Sequence, residues 1–210
     1  IKPGRHFGSG IDDMFLYTAI GALLGGFCSL FPYNTHLLVY YWVALPFLIF
    51  ASIRYLDRLT TLAAFVCGLG IVVLTVTEIP RLALYLLPFA GMAYAAAVFY
   101  LSRLGLGRYA WRHWHRVLNI TELLAIVTFY ACGNFWMVQQ LGLSFFQLET
   151  LPMAGFFWAF TFVVPFVYIF WGLRKKDRQL LDVGLACVAA AVFSFRYYYH
   201  VMPLTWATVI

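Results

Sequence analysis

Residues 60–77 read TTLAAFVCGLGIVVLTVT, with Arg58 just ahead of them and Glu78 just behind. No charge interrupts this stretch, and a helix of about 20 apolar residues is what crosses a hydrocarbon core roughly 30 Å thick. The run is continuous rather than alternating, so it reads as a helix and not as a strand of a lipid-facing barrel. Comparable runs lie on both sides of it. They place further spans at residues 13–31, 37–53, 81–101, 119–137, 153–172 and 180–195, and an eighth begins near Pro203. The expected fold is all-α: a polytopic transmembrane helix bundle with seven complete spans plus the start of an eighth, forming a single transmembrane domain over residues 1–210.

Composition leads to the same class. Apolar residues make up 64% of the chain and charged residues 10%, against about 45–50% and about 25% in soluble domains. The chain starts at Ile1 rather than Met, and its final apolar run stops at Ile210, so both ends are expected to be incomplete. Cys28, Cys67, Cys132 and Cys187 fall in four different apolar runs without a Cys-x-x-Cys pair. They read as small buried hydrophobes rather than disulfide or metal partners.

Basic residues set the orientation. Lys2, Arg5, Arg54, Arg58, Arg103, Arg108, Arg112, Arg116, Arg174, Lys175, Lys176 and Arg178 fall on one side of the predicted spans, and only Arg81 and Arg196 fall on the other. The positive-inside rule then puts the N-terminal segment in the cytoplasm and the loop at 138–152 outside. The net charge of +6 is accounted for by topology and by anionic headgroups. No basic soluble face is present, and no nucleic-acid partner is expected.

Three basic turns share a pattern. Arg54, Asp57 and Arg58 match Arg174, Asp177 and Arg178 at an offset of 120 residues, and Val43, Ile49, Phe50, Cys67 and Val72 match Val163, Ile169, Phe170, Cys187 and Val192. Arg112, His115 and Arg116 repeat the spacing with His in the Asp position. Four spans fit within the offset, so a duplication would make a parallel four-plus-four repeat with halves 1–118 and 119–210. The ordinary reading of each turn is structural: arginines at the membrane surface and an Asp at the start of the next helix.

Chemistry-bearing residues inside the spans are few. Glu122 lies three positions after Asn119, the spacing of a capping box, and is expected to cap the start of span five rather than act as a buried acid. Positions 119, 122, 126, 130, 133 and 137 form one helical stripe carrying Glu122, Tyr130 and Gly133, in a span that also carries Asn134; this is the most polar face among the spans and the place to expect a polar cavity. Gly21 and Gly25 give span one a small-x-x-x-small face for close helix packing, within the chain or to a partner. His113 and His115 flank Trp114 and do not share a helical face as a metal pair would. Asp12 and Asp13 precede the first span and read as helix-start residues. No catalytic residues, metal site or cofactor are expected.

The tail from Arg174 to Pro203 combines a basic turn (Lys176, Asp177, Arg178), an apolar helix, and Arg196 with Tyr197, Tyr198 and Tyr199 before a further apolar run. This resembles the end of polytopic membrane proteins of unknown function found in bacteria, particularly in the Bacteroidetes. The resemblance covers about thirty residues and contains no catalytic motif. It implies the bacterial inner (plasma) membrane and says nothing of activity.

The function expected from these features is a non-catalytic scaffold or accessory component of a membrane assembly, with membrane lipids and other membrane subunits as partners. A small-solute transporter or channel is the alternative, on the strength of the repeat and the polar stripe. A membrane-embedded lipid-modifying enzyme using His113, His115 and nearby arginines is the third reading.

Overall fold

The computed structural model describes residues 11–30, 37–107, 114–146 and 153–199. Among them are eight helices: α1 (Ile11–Leu30), α2 (Leu37–Tyr55), α3 (Arg58–Thr77), α4 (Pro80–Leu106), α5 (His115–Gly133), α6 (Phe135–Phe146), α7 (Ala154–Lys175) and α8 (Arg178–Tyr199). Six of these, α2 to α5, α7 and α8, are long and apolar enough to cross a membrane, which makes the chain a multi-pass helical membrane protein. In α1 the stretch Met14–Phe27 is apolar but covers only part of the 20-residue helix, so the count of six is of the described residues and does not decide the expected seventh span. The expected eighth, from Pro203, lies outside the described residues.

The surface supports this assignment. Phe47, Phe50, Phe166, Phe170 and Phe193 all point outward, and an apolar surface of that extent is what lipid, rather than water, covers. The interior centres on α5, which packs against α3, α4, α6, α7 and α8. α5 is the least apolar of the six spans. Ile126 and Tyr130 from α5 form a core with Leu180, Val183 and Cys187 from α8.

Span five differs from its expected limits at both ends. Helix α5 begins at His115, four residues earlier than expected, and Val117 in this added turn is buried in the core. It ends at Gly133, and Asn134 takes an extended conformation (φ −70°, ψ 126°) before α6 begins. Residues 135–146, expected partly as an outer loop, are therefore helical.

The hairpins α2–α3 and α7–α8 turn in the same way. Leu56 (φ 55°) and Lys176 (φ 54°) both adopt the left-handed conformation, and each is followed by an Asp. Asp57 Oδ2 accepts from the Thr60 amide at 2.8 Å, and Asp177 Oδ1 accepts from the Gln179 amide at 3.1 Å. A left-handed residue ends one helix and an Asp caps the next, so the direction reverses within two residues. These four positions obey the 120-residue offset, and so does burial at two other pairs. Phe50 and Phe170 are exposed, while Cys67 and Cys187 are buried.

Candidate functional site

Two polar centres lie along α5, about 12 Å apart by helical rise, one near the basic turns and one deeper.

The first is built on Glu122. It is the eighth residue of α5 and only 4% exposed, so it does not cap the helix start. The capping-box reading is thereby corrected. The N-cap position belongs to Trp114, and Asn119 lies inside the helix. Buried in an apolar bundle, the carboxylate needs a cation, and it finds Arg103 in the last turn of α4, with Nε to Oε1 at 2.5 Å. Arg103 Nη2 also donates to Asp177 Oδ2 at 2.8 Å. One guanidinium thus ties α5 to the α7–α8 turn, and its planar fork can reach in both directions at once. The side chain is still about one third exposed (38%), with its guanidinium carbon 5.5 Å from the centre of the Phe99 ring.

The second centre holds the break at Asn134. The Tyr130 hydroxyl shares its one proton between the carbonyls of Cys187 (3.1 Å) and Thr161 (3.4 Å), the shorter branch to Cys187, and it accepts from Asn134 Nδ2 at 3.0 Å. In a regular helix the Thr161 carbonyl would accept from residue 165. That residue is Pro165, which has no N–H, so the carbonyl is open to the tyrosine. Asn134 Oδ1 accepts from the Trp136 amide at 2.9 Å, and Thr161 Oγ1 accepts from the Phe135 amide at 2.9 Å while donating to the Phe157 carbonyl. The first amides of α6 are therefore satisfied by side chains, as an interrupted helix inside a membrane bundle requires.

Two more tyrosines act in the same way. Tyr94 of α4 donates to the Phe65 carbonyl of α3 (2.9 Å), and Tyr168 of α7 donates to the Ile126 carbonyl of α5 (3.2 Å). Ser52 and Thr61 share a hydrogen bond of 2.9 Å between α2 and α3.

The expected polar stripe of α5 does face protein. Glu122, Ile126, Tyr130 and Gly133 are buried, whereas Met137, beyond the break, is exposed. Its polar groups bond to other helices instead of lining an open cavity. A slot of about 280 Å³ runs beside them between α4, α5, α7 and Leu180 at the start of α8. α4 contributes Ala96, Phe99 and Arg103, α5 contributes Ile126 and Phe129, and α7 contributes Trp171 and Lys175. Lys175 Nζ lies 5.6 Å from the centre of the Trp171 ring. Sequence reasoning assigned Arg103 and Lys175 to topology alone. The available signal was an arginine at the inner end of one span and an acid inside the next, because a buried acid needs a partner.

Of the remaining candidates, Arg54, Asp57 and Arg58 form the α2–α3 turn and Arg174, Asp177 and Arg178 the α7–α8 turn, while His115 and Arg116 open α5 on its exposed side. Arg112 and His113 lie outside the described residues. Nothing among the described atoms comes within 4 Å of where a Cβ would stand on Gly21 or Gly25, so those glycines serve no close contact within the described chain. Close approaches occur instead at Gly133, against Phe160, and at Gly91, against Cys132. Among the described residues, no three His, Cys, Asp or Glu side chains gather as a metal-binding group would. No family model, curated protein or solved structure matches the chain.

Proposed function

We propose that this chain is a non-catalytic scaffold or accessory component of a bacterial inner membrane, with its basic turns and N-terminal segment on the cytoplasmic side. One observation carries the reading. The polar side chains inside the bundle are spent joining helix to helix: Arg103 to Glu122 and Asp177, Tyr130 to Asn134 and two carbonyls, Tyr94 and Tyr168 to one carbonyl each. Ionisable groups that serve transport or proton transfer in membranes face a water-filled cavity or pathway. Glu122 and Asp177 instead bond to Arg103, while among the described residues buried Trp136 Nε1 and Gln139 Oε1 have no hydrogen-bond partner. A four-plus-four duplication belongs to the same reading and draws support from the shared turn at Leu56–Asp57 and Lys176–Asp177.

A small-solute transporter is the second reading, favoured by the interruption at Asn134, since discontinuous helices often hold solutes. It is weaker because the amides of Phe135 and Trp136, which would meet an anion, already bond to Thr161 and Asn134. The lipid-modifying enzyme has less support, because His115 stands exposed.

Complementation tests the proposal. In a strain lacking the gene, Glu122→Gln keeps a hydrogen-bond acceptor for Arg103 but can carry no proton at that carboxyl. At wild-type abundance it should restore growth and membrane-protein composition as fully as the wild-type chain does. A folded, equally abundant Glu122→Gln chain that restores neither would make Glu122 a working acid and overturn the proposal.

A further inference from the structure

We infer that the slot between α4, α5 and α7 is a binding site for one anionic phospholipid of the surrounding bilayer. Two walls grade from basic to apolar in the same direction. On α4 the order is Arg103, Phe99, Ala96 and on α7 it is Lys175, Trp171, Tyr168, while the α5 wall of Ala125, Ile126 and Phe129 is apolar throughout. The polar end coincides with the basic turns. From Arg103 to Ala95 the apolar wall descends about 12 Å into the bundle, so a headgroup at the surface would leave a chain lying along it.

Charge selects the occupant. Arg103 is occupied by Glu122 and Asp177, but among the described residues Lys175 forms no ion pair and lies over the Trp171 ring at the mouth of the slot. The same turn exposes Arg174, Lys176 and Arg178. Of these cations only Arg103 and Lys175 line the slot; Arg174 lines a separate hollow with Phe166 and Phe170. A lysine without an ion pair at the mouth of an apolar slot fits a phosphate joined to an acyl chain, and basic pockets between transmembrane helices are known to hold anionic headgroups. A zwitterionic lipid would bring its own cation to the same place and gain less.

The site rests on the reading of the chain as a membrane component, and its test is separate. The purified full chain in neutral detergent is given equal amounts of phosphatidylglycerol and phosphatidylcholine, and retained lipids are counted by native mass spectrometry. Retention of one phosphatidylglycerol in preference is expected. Lys175→Gln, outside the Arg103 ion pairs, should reduce that preference by about fivefold, the size of one basic contact at a membrane surface. Ala96→Phe, at an exposed position on the slot wall, should abolish retention of both lipids.

To keep the test independent of how the Phe variant folds, the wild-type chain is also titrated with brominated forms of each lipid. Quenching of tryptophan emission should saturate at a lower fraction of the anionic lipid. Equal retention, identical quenching curves, or wild-type binding in both variants would overturn the site. A dimer lost on Ala96→Phe would also overturn it, by making a second copy of the chain the occupant. Lipid indifference leaves the complementation result untouched, and failed complementation leaves the lipid site standing.

Discussion

Arg103 bonds to two carboxylates supplied by different parts of the chain, Glu122 on α5 and Asp177 at the α7–α8 turn. Replacing one partner leaves a desolvated charge behind, whereas replacing both by apolar residues removes the penalty along with the attraction. Glu122→Leu should therefore destabilise the protein by about 1–3 kcal/mol, below the cost of breaking a fully buried pair because Arg103 is partly exposed. Arg103→Met with Glu122→Leu should cost less than the sum of the single changes, as read from detergent unfolding of the four proteins in the cycle. Strict additivity would mean that the pair contributes no coupling. The sequence made Glu122 conspicuous but not its role. Asn119 three residues earlier imitates a capping box, and nothing local reveals that α4 and α5 bring Arg103 alongside.

At the scale of elements, the two matching hairpins offer an internal control. Asp57 and Asp177 cap α3 and α8 in the same way, yet only Asp177 also accepts from Arg103. Asp57→Ala should cost about 1 kcal/mol, the usual value of a lost N-cap. Asp177→Ala should cost about 1 kcal/mol more, for the charged hydrogen bond it also loses. Equal losses in detergent unfolding would show that the Arg103–Asp177 contact adds nothing to stability. The hairpins could be read in advance because the basic clusters, the Asp and the length of the apolar runs all lie within the turn itself. The break at Asn134 was hidden, since apolar residues continue through it from Phe135 to Met137. Gly133 followed by Asn134 was the local stop signal. Its stabilisation comes from Thr161 and Pro165 on another helix, which no local pattern contains.

For the whole molecule, the membrane class was legible from composition alone, because no soluble packing covers so much apolar surface. The paths of α2 to α5, α7 and α8 follow from run length, with ends shifted by a few residues where packing extends a helix. Which helices meet was not legible, and the slot, the ion-paired arginine and the tyrosine bonds all depend on it. The slot opens at the end of the bundle that carries Arg103 and Lys175, and the orientation proposed here makes that end cytoplasmic. Cysteine accessibility in intact cells tests this directly. In a chain whose four native cysteines are replaced by alanine, Leu143→Cys should react with a membrane-impermeant maleimide, and Lys175→Cys should react only after the membrane is permeabilised. Labelling of Lys175→Cys from outside, with Leu143→Cys protected, would contradict the account.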